Sequence, residues 1–219
     1  FNKISKGPVL FFGNEFFDAI PIKQFKKNKN ILLEKYYTLK KYNQIKSVFK
    51  KASRRDTNYL KSFKTLKNQK FIEFPKLGFE ELKQITNKIF ELEGCILLID
   101  YGYDKPKNKD TLQSVINHKK NELFNNLGNA DITSHVNFSL LNEFFKKNKL
   151  KIKKTITQKE FLEKMGIMKR AEILSKKMTF REKTNLYLRL KRLLSPKMMG
   201  NLFKVSLAYK AKAKINFIY

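Results

Sequence analysis

Val9-Leu-Phe-Phe-Gly-Asn-Glu-Phe-Phe-Asp-Ala-Ile-Pro21 opens with four apolar residues and turns polar at Gly13-Asn14. Such a short, continuous apolar run reads as a buried strand of the parallel kind. A second run of this type, Cys95-Ile-Leu-Leu-Ile99, ends in Asp100-Tyr-Gly-Tyr103. Between them, Phe79, Leu82, Ile85, Ile89 and Leu92 recur at helical spacing over Leu77 to Leu92, and Gly94 supplies a stop. Strand, helix and strand in this order predict an α/β fold with a parallel sheet.

Ligands of open α/β sheets sit in the crevice beyond the carboxyl ends of the strands. Asn14, Glu15 and Asp18 cluster at one such end, and Pro21 limits how far a helical turn can run there. A helix cap explains the same residues equally well: Asn14 would cap the turn and the early acids would suit its dipole. Asp100, Tyr101 and Tyr103 end the second strand and by the same rule would line the same crevice. The alternative is an ordinary turn with Gly102 at positive φ. In Ala130-Asp-Ile-Thr-Ser-His-Val-Asn-Phe138, Asp131 could cap a helix and His135 could be a surface residue, the commoner role for a lone histidine. His118, in a lysine-rich stretch, carries no signal.

Working outward, residues 22–52 hold apolar segments separated by Lys-Asn clusters, which fits antiparallel hairpin strands. Residues 53–70 read as loop. So do residues 104–130, around a short helix at 111–118. A helix is expected from Val136 to Phe145 and a loose strand from Leu150 to Ile156. A helical subregion spans about 158–194 with breaks near Gly166 and Thr179, and Leu202 to Tyr209 forms a last strand.

The 219 residues are 42% hydrophobic, enough for one sizeable core, and 20 Phe exclude a disordered tail. A single cysteine, Cys95, excludes a disulfide framework and reads as a buried, inert thiol. Zinc is not expected, since there is no H-E-x-x-H and no cysteine pair. No run is long enough for a membrane span. The formal net charge of +29 invites a nucleic-acid reading, but only six of the 48 basic residues are Arg. Specific nucleic-acid readers favour Arg for bidentate contacts, whereas dispersed Lys among many Asn and Ile fits an AT-rich genome. No specific nucleic-acid partner is therefore expected. No G-x-G occurs, so the loop that would cradle a dinucleotide or a SAM-type cofactor is missing from these residues.

Six ordered blocks resemble the MidA-like methyltransferases, complex I assembly factors of mitochondria and bacteria. Asn14 to Pro21 with Gln24-Phe25 is similar to NEFFDALP…QF, and Leu97 to Tyr103 to LLIDYGY. Asp110-Thr-Leu-Gln113 is similar to GDTL(Q/R), and Ala130 to Phe138 to ADITAHVDF. Thr157 to Ile167 resembles TQ…FL…LGI, and Met199 to Val205 resembles MG.LFKV. The sequence departs from the pattern at Leu127-Gly-Asn129, Asn137 and Lys109. The resemblance implies a class I SAM-dependent methyltransferase sheet, Rossmann-like, of which residues 1–219 would be the C-terminal part of one domain. The hairpin strands and the helical segment would be insertions. The Gly-rich loop would lie upstream, which reads as a fragment or a truncated gene, with the sheet edge near Val9–Phe12 left unpaired.

The activity implied is methyl transfer from S-adenosyl-L-methionine to an arginine of a protein, a respiratory complex I subunit, during assembly. Glu15 and Asp18 would be catalytic and Asn14 and Phe16 would face the cofactor. Asp100, Tyr101, Tyr103, Asp131 and His135 would wall the substrate pocket. The competing reading is a non-catalytic complex I assembly protein with a degenerate methyltransferase fold. The implied compartment is bacterial cytoplasm, given the Lys- and Asn-rich drift, with the mitochondrial matrix as the alternative.

Overall fold

In the computed structural model, residues 3–41 and 44–210 are described. The two predicted strands are β1 (Val9–Asn14) and β6 (Gly94–Tyr103), and they run parallel in register Val9 with Gly94 through Asn14 with Ile99. The helix between them is α2 (Lys76–Leu92), which buries Phe79, Leu82 and Ile89. The chain re-enters the sheet through Glu93 at φ +62° and Gly94 at φ +132°. A side chain at Gly94 would strike the Val9 carbonyl oxygen at 1.9 Å, so glycine is required where β6 starts against β1.

Three strands fill the space between β1 and α2. They are β2 (Lys23–Asn28), β3 (Ile31–Leu39) and β4 (Ile45–Lys51), antiparallel as expected from 22–52. A fourth, β5 (Phe71–Phe74), closes this sheet in the order β4-β3-β2-β5. The expected loop at 53–70 instead holds α1 (Arg54–Lys61) and a short 3-10 turn, Lys64–Leu66. The Ser53 hydroxyl accepts the Asp56 N–H at 3.0 Å and caps α1. Leu60, Phe63 and Leu66, too sparse to give a clear period, anchor the segment in the core.

The expected short helix at 111–118 is a hairpin of β7 (Gln113–Ile116) and β8 (Lys119–Asn121). Its turn residues, Asn117 and His118, both have positive φ, +50° and +61°. A two-residue turn of that kind matches strand twist, and Asn is among the few residues that adopt it easily. Next, β9 (Asp131–Thr133) pairs with β7, so Asp131 opens a strand and caps no helix. β10 (Val136–Asn137) then pairs with the end of β6. Gly102 lies in that strand without positive φ. It is there because a Cβ would meet the Val136 carbonyl oxygen at 2.1 Å.

The expected helix from Val136 is α3 (Phe138–Lys147), capped by the Asn137 side chain, which accepts the Leu140 N–H at 3.1 Å. The loose strand at 150–156 resolves into β11 (Lys151–Ile152) and β12 (Ile156–Thr157). The helical subregion is α4 (Gln158–Lys164), α5 (Ile167–Ser175) and α6 (Phe180–Leu194), with breaks at Gly166 and Thr179. A one-turn α7 (Met199–Leu202) leads into β13 (Phe203–Tyr209), which runs antiparallel to β6.

The main sheet thus has the order β1-β6-β13-β11. One face packs on α2, α3 and the hairpin sheet through Phe79, Ile96, Leu98 and Phe144. The other packs Cys95, Leu97, Val205 and Leu207 against Phe161 of α4. Among the described residues, no strand pairs with β1 on its side away from β6, and Leu10 and Phe12 there are 55% and 62% exposed.

Candidate active site at the end of the first strand

β1 and β6 end side by side, and the chain leaves the sheet at Glu15. Its N–H donates to the Ile99 carbonyl at 3.0 Å, the last rung beside β6. Glu15 then adopts φ +47°, a left-handed conformation that costs a non-glycine residue about 1 kcal/mol. The turn that follows is held from across the sheet. Asp100 Oδ2 accepts the N–H groups of Phe16, Phe17 and Asp18 at 3.2, 2.8 and 3.2 Å, and Oδ1 accepts that of Tyr101 at 2.8 Å. Asp100 therefore performs the capping that the sequence offered to Asn14. Both its oxygens are engaged by backbone, and the residue is 2% exposed. Burial and the neighbouring Asp18 push its pKa up to about 6, while the N–H groups of Phe17, Asp18 and Tyr101 pull it back.

Asp18 is fixed by its own contacts. Its carbonyl accepts the Ser134 N–H at 2.9 Å, and Oδ2 accepts a short hydrogen bond from the Tyr101 hydroxyl. Its other oxygen, Oδ1, has no partner although the side chain is buried. A buried carboxylate oxygen left unpaired is costly and calls for an explanation. Asp18 lines an open cleft of about 490 Å³ together with Glu15, Tyr101, Gln113, Asp131 and Thr133, and among the described residues no Lys or Arg lines it. That exclusion stands out in a chain with 48 basic residues against 19 acidic ones.

The other expected site residues divide. The His135 ring packs edge-on against Tyr101, with centroids 5.5 Å apart. Burial, then the charges of Lys107 and Lys109, lower its pKa, so the imidazole is neutral at neutral pH. Tyr103 is buried away from the cleft, and Lys107 stands over its ring at 5.5 Å. Burial, with the charge of Glu73 added, pushes its hydroxyl pKa up. Asn14 and Phe16 face the opposite side of the turn. They line an apolar crevice of about 330 Å³ with Phe12, Gly13, Leu82 and Leu98.

One polar group was missed by the sequence reading. Glu73 is buried in β5 and accepts from Gln24 Nε2 at 2.9 Å, from the Thr111 N–H at 2.9 Å and from the Thr111 hydroxyl. Gln24 also reaches Asp110 at 2.6 Å, and the Thr111 hydroxyl oxygen accepts the His135 N–H at 3.0 Å. This network ties the hairpin sheet to the cleft wall. Its available signal was an acid inside the apolar run Phe71-Ile-Glu-Phe74.

Residues 1–156 match a family described as "Putative S-adenosyl-L-methionine-dependent methyltransferase". The chain belongs to this family. It is 32% identical over 167 residues to the protein arginine methyltransferase NDUFAF7 homolog, mitochondrial, of Caenorhabditis elegans, covering 75% of this chain and 39% of that protein. It is 26% identical to the Danio rerio protein arginine methyltransferase NDUFAF7, mitochondrial, covering 92% and 47%. The chain spans less than half the length of these relatives. Two Burkholderia thailandensis crystal structures share the fold. One superposes with a TM-score of 0.79 at 19% identity, covering 94% of this chain and 56% of that one. The other, bound to S-adenosyl-homocysteine, has a TM-score of 0.74 at 20% identity, covering 94% and 54%.

S-adenosyl-L-methionine is the cofactor of this methyltransferase family. The Asn14–Phe16 crevice suits part of it. Its apolar wall would match the flat or aliphatic portions, Asn14 would offer an amide, and a Cβ at Gly13 would press on Leu98 at 2.9 Å. Among the described residues lining it there is no acid for ribose hydroxyls.

Proposed function

We propose that this chain carries the substrate side of an S-adenosyl-L-methionine-dependent protein arginine methyltransferase acting on a subunit of respiratory complex I. The observation that carries the reading is a buried carboxylate, Asp18, in the wall of an acid-lined cleft, with one oxygen, Oδ1, left without a partner. A guanidinium is always charged and offers a planar fork of N–H donors to carboxylates. The names of the relatives support arginine as the acceptor. The relatives are mitochondrial, which supports the matrix reading, while the Lys- and Asn-rich drift supports a bacterial cytoplasm, the reading we keep first.

When bound, the cofactor supplies a sulfonium methyl; the C–S bond breaks as the C–N bond forms, leaving S-adenosyl-homocysteine. Asn14 and Phe16 would hold the cofactor on one side of the turn. On the other side, Glu15 and Asp18 would grip the guanidinium and orient one nitrogen for transfer. The alkylated nitrogen turns acidic, and Asp18 Oδ1, the oxygen without a partner, takes its proton. Tyr101, which lines the cleft, offers an aromatic face that favours a cation, and the His135 ring packs edge-on behind it.

The test is transfer of labelled methyl to complex I subunits by the full-length protein and by its Asp18→Asn variant. Label on arginine that the variant fails to deliver supports the reading. A folded wild type that binds the subunit but transfers no label would overturn it in favour of an assembly protein.

A further inference from the structure

A second cleft carries the opposite charge. It is open, about 580 Å³ in volume, and lies between the β2–β3 turn and the segment formed by α1 and the 3-10 turn. Its floor is apolar. Leu60, Phe63 and Leu66, which anchor that segment in the core, form it with Ile72 of β5. Its rim is basic, with Lys27 and Lys29 on one wall and Lys61, Lys64 and Lys67 on the other. Among the described residues no Asp or Glu lines it, and none of these lysines pairs with a carboxylate.

Lysines are frequent in this chain, so their partners matter more than their number. Lys23 and Lys35 belong to the same sheet. Lys23 pairs with Glu34 and Asp56 at 2.9 Å each, and Lys35 with Asp110 at 2.7 Å. Lys27, half-buried on β2, has no such acid. Its Nζ donates to the carbonyls of Leu66 at 2.6 Å and Lys67 at 2.8 Å on the far wall, which caps the end of the 3-10 turn. An ammonium has three donors, and the third finds no partner among the described residues. Burial without a counter-charge lowers the Lys27 pKa. A lysine face that is only solvated needs no apolar ground beneath it. Here the ammonium groups ring an apolar hollow, the arrangement of a partner-binding surface.

We infer that this cleft docks an acidic amphipathic segment of a partner protein, whose apolar side chains enter the hollow while its carboxylates meet the lysines of both walls. A fatty acid brings a single anionic head, too few for five lysines on two walls. A nucleic acid would need an exposed ring to stack on, and Phe63 is 2% exposed; it would also favour Arg, which the rim lacks. The mode is that of a helix in a groove, with apolar anchors at helical spacing. The inference goes beyond the methyltransferase reading and stands without it.

The test uses the full-length protein and a fluorescein-labelled peptide with Leu at helical spacing on one face and Glu along both flanks. Fluorescence anisotropy at physiological salt reads its binding. Two control peptides replace every Leu by Ser or every Glu by Gln. The variants are Lys61→Glu/Lys67→Glu, both at exposed rim positions, and Ile31→Ser at the cleft edge, where Ile31 is 51% exposed. Lys146→Glu/Lys154→Glu makes the same change of charge at exposed positions of another cleft. The Kd of the amphipathic peptide is expected to rise by about tenfold or more in Lys61→Glu/Lys67→Glu, where like charges meet, by about threefold in Ile31→Ser, and by less than about twofold in Lys146→Glu/Lys154→Glu. Both control peptides should bind the wild type by about tenfold less. Equal weakening by the two charge reversals would make the attraction one of net charge and overturn the inference. A Leu-free peptide that binds as tightly as the amphipathic one, or a wild type that binds neither, would overturn it too. Dodecanoate that occupies the cleft more tightly than the peptide would overturn it in favour of a lipid anion. Methyl transfer enters none of these readouts, so a protein without that activity still tests the docking.

Discussion

The chain buries carboxylates in two places and treats them in opposite ways. Asp56, in α1, is 6% exposed and takes two ammonium groups, Lys23 and Lys76, each at 2.9 Å. Lys23 also serves the buried Glu34 at 2.9 Å. Asp18 and Asp100, at the end of β1 and β6, are at least as buried, 6% and 2% exposed, and among the described residues neither has a cation in ion-pair contact. Burial works against the charge in both regions. At Asp56 the hydrogen bonds from Lys76 and Lys23 overcome it and hold the pKa near 2. At Asp100 burial wins, with help from Asp18, and the pKa climbs to about 6. With 48 basic residues, a lysine for the cleft was available. One cluster is a finished ion-pair network that holds α1 to β2 and α2. The other is an unfinished one, and a cationic substrate would complete it.

The largest expected effect separates these two roles outright. Asp18→Asn should lower methyl transfer by about 10² to 10⁴, the range for a lost proton acceptor, and leave thermal stability almost unchanged. Relief from an unpaired buried charge even favours a slightly higher Tm. Transfer assays beside calorimetry check it. Retained activity with a lowered Tm would make Asp18 a structural acid like Asp56 and erase the contrast.

Asp56→Asn should do the reverse. It strands Lys23 and Lys76 beside a neutral amide, at a cost of about 2–3 kcal/mol, below the cost of breaking a fully buried pair because both lysines are partly exposed. The pH dependence has a defined sign. The folded pKa of about 2 lies below the ordinary aspartate value of 3.8, so the stabilisation is complete above about pH 4 and is lost as pH falls toward 2. That share is about 2 kcal/mol. Urea unfolding across this window should show a slope in wild type that Asp56→Asn lacks.

Asp100 should respond in the opposite sense. Its folded pKa of about 6 lies above 3.8, so its contribution to stability is full below about pH 4 and is lost as pH rises through 6. Activity runs the other way, because only the ionised carboxylate accepts all four N–H groups that hold the turn. The kcat/KM profile should therefore fall below about pH 6 while stability improves. A profile flat through that range would show that the turn does not depend on the Asp100 charge.

The same contrast explains what could be read from the sequence. β1, α2 and β6 were legible because apolar runs and a helical period report burial directly. The placement of Glu15, Asp18, Asp100 and Tyr101 at the strand ends followed from that order. What the sequence could not reveal was which acid points where. Asp100 and Asp18 look alike as residues, yet one is spent on backbone N–H groups and the other keeps one oxygen without a partner, a distinction that follows from the register of β1 against β6. Likewise α1 hid behind a polar composition, because three anchors and one serine cap sufficed to hold it. The hairpin at 113–121 hid because its turn is Asn117-His118 with no glycine. Glu73 escaped because its partners, Gln24 and Thr111, lie 49 and 38 residues away.

Glu15 sharpens the comparison at the smallest scale. It sits at φ +47° with its side chain exposed, where glycine would be at ease. A residue kept in a strained conformation without a folding benefit suggests that its side chain is used. Glu15→Gly should therefore raise stability by up to about 1 kcal/mol, the left-handed cost relieved less the entropy that glycine adds to the unfolded chain. It should also raise KM for an arginine-bearing peptide more than it lowers kcat, because the grip is lost while Asp18 Oδ1 remains. Asp56→Gly, in contrast, should only destabilise. Unfolding midpoints measured beside the KM–kcat split check the trade. A Glu15→Gly protein with wild-type kinetics would show that the carboxylate at position 15 is not part of the grip, leaving Asp18 to meet the cation alone.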